Sequence, residues 1–139
     1  MDAPRMEADA LPPALAAFLD RFLAAIRHTR VDDLRACFAD GCTFTFDYTS
    51  LGKGVRHQGL EEAMEKAASQ FPRLRIMESE RVSHHADKGL HTVVLFCRDT
   101  YTRADGETAS LEYDQYMLID EQDQAFHIVR LVCSYRPQA

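Results

Sequence analysis

The chain lacks a basic surplus: 16 Lys and Arg residues stand against 22 Asp and Glu, a formal net charge of -6. A nucleic-acid surface needs a basic stripe and an anionic lipid surface needs a polybasic segment, so neither partner is expected. No apolar run approaches the roughly 20 residues of a membrane span. The stretch from Met1 to Asp9 has no basic region leading into an apolar one, so it does not read as a signal peptide. It reads as a frayed tail over residues 1–10, ahead of a single domain over residues 11–139, in a cytoplasmic protein. The four cysteines, Cys37, Cys42, Cys97 and Cys133, contain no CxxC spacing, which argues against a zinc or redox motif and for reduced, buried thiols. The six histidines show no HxH or HxxxH spacing, so no metal and no cofactor is expected. Gly52-Lys53-Gly54 runs into Val55 rather than Ser or Thr and a helix start, so it is a loop lip rather than a phosphate cradle. Repeats and low-complexity segments are absent.

What is present is an ordinary globular composition, 46% apolar and 27% charged over 139 residues. A chain of this size buries roughly 70% of its unfolded surface, enough for a core without staples. Leu11, Leu15, Phe18, Leu19, Phe22, Leu23 and Ile26 recur at helical spacing, behind Pro12 and Pro13 in the first turn. Val31, Leu34, Arg35 and Phe38 suggest a second, shorter helix stopped at Gly41. The period then changes to alternation, with Phe44, Phe46 and Tyr48 on one strand face. A glycine-bearing loop (Gly52, Gly54, Gly59) leads to a third helix with Leu60, Met64, Ala67, Ala68 and Phe71 inward, ended by Pro72. Strand runs follow at about 74–82, 90–103, 108–120 and 125–135. Helices at the front and mostly antiparallel strands behind read as α+β.

Asp105-Gly106 lies between the two longest strand runs, and Asp-Gly is a strong signal for a two-residue hairpin loop. That loop places Cys97 opposite Asp114 and Leu95 opposite Tyr116. One face then carries Val93, Leu95, Cys97 and Asp99 with Glu112, Asp114, Tyr116 and Leu118. Asp114 becomes an acid among apolar neighbours, whose pKa burial would raise. The other face offers Val94, Phe96, Leu111, Tyr113, Met117 and Ile119, so both faces need cover, and a homodimer through the outer sheet face is the simplest way to supply it. His84, His85 and His91 flank a turn and read as solvated.

The long first helix, the segment from Val31 to Phe44 (VDDLRACFADGCTF) and the stretch His57-Gln-Gly-Leu-Glu-Glu-Ala63 resemble the nuclear-transport-factor-2-like superfamily. This group includes SnoaL-like polyketide cyclases, ketosteroid isomerases and scytalone dehydratases. The resemblance implies a cone-shaped α+β barrel, with three helices from the N-terminal half packed on a curved, mostly antiparallel sheet round an apolar pocket for a hydrophobic small molecule. It puts Asp114 where the isomerases carry an oxyanion-hole carboxyl group. Phe22 and Phe46 stand where those enzymes carry their Tyr and their base, and Asp47 is one residue off. Asp47-Tyr48-Thr49-Ser50 resembles a dehydratase stretch whose Tyr holds a water, while Glu78 and the Asp99 region stand where that group carries its histidines. His127, alternating with Val129, Leu131 and Cys133, would face inward. The candidate catalytic residues are therefore Asp114, Tyr48 and His127, and the candidate pocket residues Tyr116, Phe22, Phe46, Cys97, Leu95, Phe18 and His57. The implied chemistry is cofactor-free isomerisation, dehydration or cyclisation. The alternatives are a non-catalytic binding or interaction module, and an accessory subunit like the small β subunits of ring-hydroxylating dioxygenases.

Overall fold

The computed structural model describes residues 11–137, so the expected tail lies outside the described residues. Helix α1 (Pro13–Arg27) opens on proline, which gives up no intrahelical hydrogen bond there, and buries Leu15, Phe18, Leu19, Phe22 and Ala25 along one face. Each such Leu or Phe contributes roughly 1.5–3 kcal/mol by leaving water. Helix α2 (Val31–Arg35) is shorter than the pattern suggests. Its carbonyl neighbour Cys37 accepts the Ile128 amide at 2.8 Å, so Phe38 opens a strand instead of closing a helix. Gly41 consequently lies inside β1 (Phe38–Asp47), where the pairing is irregular between Phe38 and Thr43.

The glycine-bearing loop contains a strand that periodicity does not reveal. Strand β2 (Val55–Gln58) is only four residues long, is mostly exposed and pairs antiparallel with the end of β1. Helix α3 (Leu60–Gln70) follows, burying Leu60, Ala63, Met64 and Ala67. Pro72 sits in a 3-10 turn (Phe71–Arg73) that delivers the chain to β3 (Leu74–Asp87). Strands β4 (Leu90–Thr102), β5 (Thr108–Gln122) and β6 (Ala125–Tyr135) complete one sheet of order β2-β1-β6-β5-β4-β3. Only the β1–β6 pair is parallel. The open sheet curves round the helices as a cone-shaped α+β fold, and α1, the inner sheet face and α3 share one core.

Three hairpins set which side chains that core receives. Lys88-Gly89 and Asp123-Gln124 are the two-residue loops, each with positive φ at both positions. Asp105-Gly106 is not. The Gly106 amide bonds the Arg103 carbonyl, the Arg103 amide bonds the Glu107 carbonyl, and only Gly106 has positive φ. This is a three-residue loop, a type I turn closed by a left-handed glycine, with the Asp105 carboxylate accepting the Glu107 amide at 2.9 Å. The extra residue moves the register by one: Cys97 pairs with Tyr113 and Leu95 with Gln115, not with Asp114 and Tyr116. A one-residue shift turns every side chain of the partner strand over. Tyr113, Gln115, Met117 and Ile119 are thus buried inside, and Asp114 and Tyr116 are on the outer face.

A second irregularity changes the parity of β6. Leu118 pairs with Arg130 but Ile119 pairs with Ile128, so β6 carries one extra residue at Val129. Ile128 and Leu131 both point inward, and His127 is left exposed outside. His91, expected to be solvated, is 5% exposed. Its ring stacks on His84 at 5.3 Å and hydrogen-bonds the His84 ring at 3.0 Å and the Glu121 carboxylate at 2.9 Å.

Candidate functional site

A cavity of about 320 Å³ opens between α1, α3 and the inner sheet face, at the low end of the roughly 300–1,000 Å³ usual for small-molecule sites. Its walls are mostly aromatic and aliphatic, including Phe22, Phe46, Phe71 and Tyr101. Its polar groups include Asp99 from β4, Tyr113 and Gln115 from β5, Tyr135 from β6 and Lys66 from α3, with Gln70 and Arg73 at the end of α3 and in the turn after it.

Asp99 is the only carboxyl group lining the cavity among the described residues, and no histidine lines it. One carboxyl oxygen, Oδ2, accepts the Tyr113 hydroxyl at 2.9 Å. The other, Oδ1, is buried and has no hydrogen-bond partner. Burial pushes the Asp99 carboxyl up from 3.8 to about 6, against the Tyr113 hydrogen bond, which favours the charged form. Burial first, and then the Asp99 carboxylate, raise the Tyr113 phenol well above its ordinary value, so Tyr113 stays a hydrogen-bond donor. The Tyr135 phenol is raised for the same first reason.

Gln115, 5% exposed, satisfies its side-chain amide only weakly. Its nitrogen faces the Met117 sulfur at 3.7 Å and its oxygen accepts the Cys133 thiol at 3.6 Å. All four cysteines are buried and free. Burial pushes the Cys42 and Cys97 thiols up to about 12 and also raises Cys37 and Cys133, so none is a thiolate nucleophile at neutral pH.

An aromatic platform closes the side of the cavity at the end of β1. Tyr48 stacks on Tyr135 with ring centroids 4.6 Å apart and planes 11° from parallel, and lies 6.5 Å from Phe46. Asp47 fixes the following turn by accepting the Thr49 amide at 3.0 Å and its hydroxyl at 2.6 Å. Ser50 ties that turn to the Tyr135 carbonyl. Lys66 reaches in from α3, its ammonium 3.1 Å from the Tyr48 hydroxyl and 4.4 Å from the Phe46 ring centroid.

The residues expected from sequence distribute unevenly round this site. Phe22 and Phe46 line the cavity. Tyr48 stands behind its wall and touches it through Tyr135 and Lys66. Leu95, Cys97 and Phe18 fill the core beside it, Phe18 against Phe126 at 5.8 Å. His57 is exposed on β2, bonded to the Thr45 hydroxyl at 3.1 Å, and Tyr116 is 44% exposed. His127 borders a separate open groove along α1. Asp114 lies across the outer face from Phe96, and its carboxylate takes two hydrogen bonds from Arg136, at 2.8 and 3.2 Å. Tyr113, Gln115, Tyr135 and Lys66 were not among the candidates, and Asp99 was noted only as standing where dehydratases carry a histidine. The alternation that sets Asp99 two residues beyond Cys97 on the same face was the available signal for that residue.

No family model and no curated protein sequence matches the chain. Solved structures do. A ketosteroid isomerase-like protein from Erwinia carotovora atroseptica superposes with a TM-score of 0.71 at 17% identity, covering 88% of this chain and 93% of that one. A nuclear transport factor 2-like superfamily protein from Salmonella enterica serovar Typhimurium gives 0.70 at 13% identity, covering 90% of each chain. An NTF2-like protein of unknown function from Shewanella baltica gives 0.70 at 8% identity, covering 90% of this chain and 93% of that one. The fold is that of the nuclear-transport-factor-2-like superfamily.

Proposed function

We propose that this is a SnoaL-like small-molecule enzyme that moves a proton on an enolisable cyclic ketone without a cofactor, with Asp99 as the acid–base group. The observation that carries this reading is Asp99, the one carboxyl group among the described residues lining the cavity, whose Oδ1 is buried without a hydrogen-bond partner. A buried polar atom without a partner costs about 1–3 kcal/mol, and a ligand that supplies a hydrogen there removes the penalty. A carboxyl group titrating near 6 is also matched to general acid–base work near neutral pH. Ionised, Asp99 takes the proton next to a carbonyl through Oδ1 while Tyr113 holds Oδ2. The resulting carboxylic acid, whose proton can exchange with solvent, then delivers a proton back to the same carbon or to another carbon of the conjugated system. Gln115, with a side-chain amide bonded only to sulfur, is placed to donate to the enolate oxygen. A single carboxyl group suits a proton shift better than dehydration, which calls for an acid and a base together.

A second reading, a binding protein without chemistry, is favoured by the same count of one carboxyl group and no histidine along the cavity wall. Solvent deuterium exchange into β-tetralone, followed by proton NMR, separates the two. Catalysis is expected to show exchange that rises with pH through about 6 and falls about 10²–10⁴-fold in Asp99→Asn, the usual contribution of a positioned base. Exchange at the uncatalysed rate, or undiminished in Asp99→Asn, would leave the binding reading standing.

A further inference from the structure

We infer that the cavity's ligand is a planar conjugated ring compound bearing an anionic oxygen, a carboxylate in the first instance, and that Lys66 is its anchor. This rests on the cavity being a ligand site and goes beyond its proton chemistry. Lys66 lines the cavity, half-buried, yet no carboxylate lies within ion-pair distance of its ammonium among the described residues. Its only hydrogen-bond partner there is the neutral Tyr48 hydroxyl, although an ammonium has three donors. The carboxylate one helical turn before it, Glu62, is turned away to accept the Gly59 amide at 3.4 Å. Arg73, a second cation on the cavity rim, likewise has no ion-pair partner among the described residues. A protein of net charge -6 therefore holds two cations without an ion-pair partner among the described residues at one small cavity lined by a single carboxyl group.

The wall beside Lys66 states the rest of the ligand. Phe46, Tyr48 and Tyr135 lie nearly parallel, with Tyr48–Tyr135 planes 11° and Phe46–Tyr48 planes 22° apart. Tyr113 adds a ring 5.1 Å from Tyr135, tilted by 42° to it. Of these rings Phe46, Tyr113 and Tyr135 line the cavity and offer faces for a flat ring, and a volume of about 320 Å³ limits it to about one or two fused rings. The anionic group then meets the Lys66 ammonium, and the ring slides along the aromatic wall toward Asp99.

The test is calorimetric titration of the chain at pH 7 and low salt with β-naphthoate and with its neutral isostere β-naphthamide. The naphthoate is expected to bind about tenfold more tightly, the scale of one charge-assisted hydrogen bond. Lys66→Gln is expected to bring the ratio within about twofold, while Lys66→Arg keeps it and shows that loss of folding is not the cause. 4-Nitrophenol against 4-nitroanisole at pH 8, where the phenol is ionised and a lysine keeps its charge, tests a phenolate in the same way, and a preference there in place of the naphthoate would overturn the carboxylate assignment. Equal affinity of the two wild-type ligands, a ratio undisturbed in Lys66→Gln, or binding of neither ligand overturns the inference. β-Tetralone exchange in the wild type separates the two claims. Exchange without naphthoate preference removes only the anchor, and preference without exchange removes only the chemistry.

Discussion

Asp99→Asn should make the protein more stable at alkaline pH while removing its proton chemistry. The folded chain holds the Asp99 proton more tightly than the unfolded one, with the carboxyl at about 6 against 3.8. Its stabilising contribution is therefore full below about pH 4 and is lost as pH rises through 6. A displacement of about two units corresponds to about 3 kcal/mol of cost when Asp99 is forced to ionise in the fold. That is a large part of the roughly 5–15 kcal/mol that holds a domain together. Asparagine keeps the acceptor for the Tyr113 hydroxyl but cannot ionise, and its amide brings two N–H donors to the site, which offsets part of the gain, so the gain at pH 8 should be about 1–3 kcal/mol. At pH 4, where the wild-type carboxyl is neutral, the gain should vanish or reverse. Urea unfolding followed by circular dichroism, at pH 4, 6 and 8, measures this directly; the chain has no tryptophan, so fluorescence would rest on its five tyrosines. A difference between variant and wild type that does not change with pH refutes the buried-carboxyl argument.

Tyr113→Phe removes the hydrogen bond that holds Asp99 down, so the pH inflexion of ketone exchange should move above 6 and stability should fall by about 1–3 kcal/mol, read from the exchange profile and from urea unfolding. Asp114→Ala removes a partly exposed pair with Arg136 and should cost at most about 1 kcal/mol, with exchange into β-tetralone unaltered; a loss of exchange would restore the outer-face acid as the catalytic group. His91→Ala deletes a buried ring and both links of the His84–His91–Glu121 chain and should cost about 2–4 kcal/mol by urea unfolding. Burial, followed by His91, holds His84 below 6.5, so the unfolded chain takes that proton first and stability falls as pH drops below 6.5. In Asp99→Asn, where the opposing carboxyl slope is gone, this fall should be steeper than in the wild type.

Hydrophobic period carried much of the architecture. The α1 stripe from Leu15 to Ala25, the α3 stripe and the long alternating strands are local patterns that burial enforces, so they can be read before folding. The site turned on features of single residues. Asp-Gly is compatible with a two-residue loop and with a type I turn closed by Gly106, and backbone hydrogen bonds that local sequence does not determine decide between them. The second placed Tyr113 and Gln115 inside and Asp114 outside. The extra residue at Val129 reversed the parity that would have brought His127 inward, and it depends on pairing with β5 rather than on anything in β6 itself. Strand β2 was hidden because it is four residues long and exposed, held by β1 rather than by a pattern of its own. Asp99 was on the correct face from the start. It was noted only as standing where dehydratases carry a histidine, because the incorrect register supplied a second acid, Asp114, with the same neighbours.

The four buried thiols give the molecule a built-in clock. Each is closed to reagents in the folded state, so its rate of alkylation reports how often its own segment breathes: Cys37 the α2–β1 junction, Cys42 the middle of β1, Cys97 the centre of β4 and Cys133 the cavity wall. Mass-resolved labelling would read four local opening equilibria from one sample without adding a probe. A compound that fills the cavity should slow the Cys133 clock first, which turns the unmodified chain into its own screen for ligands.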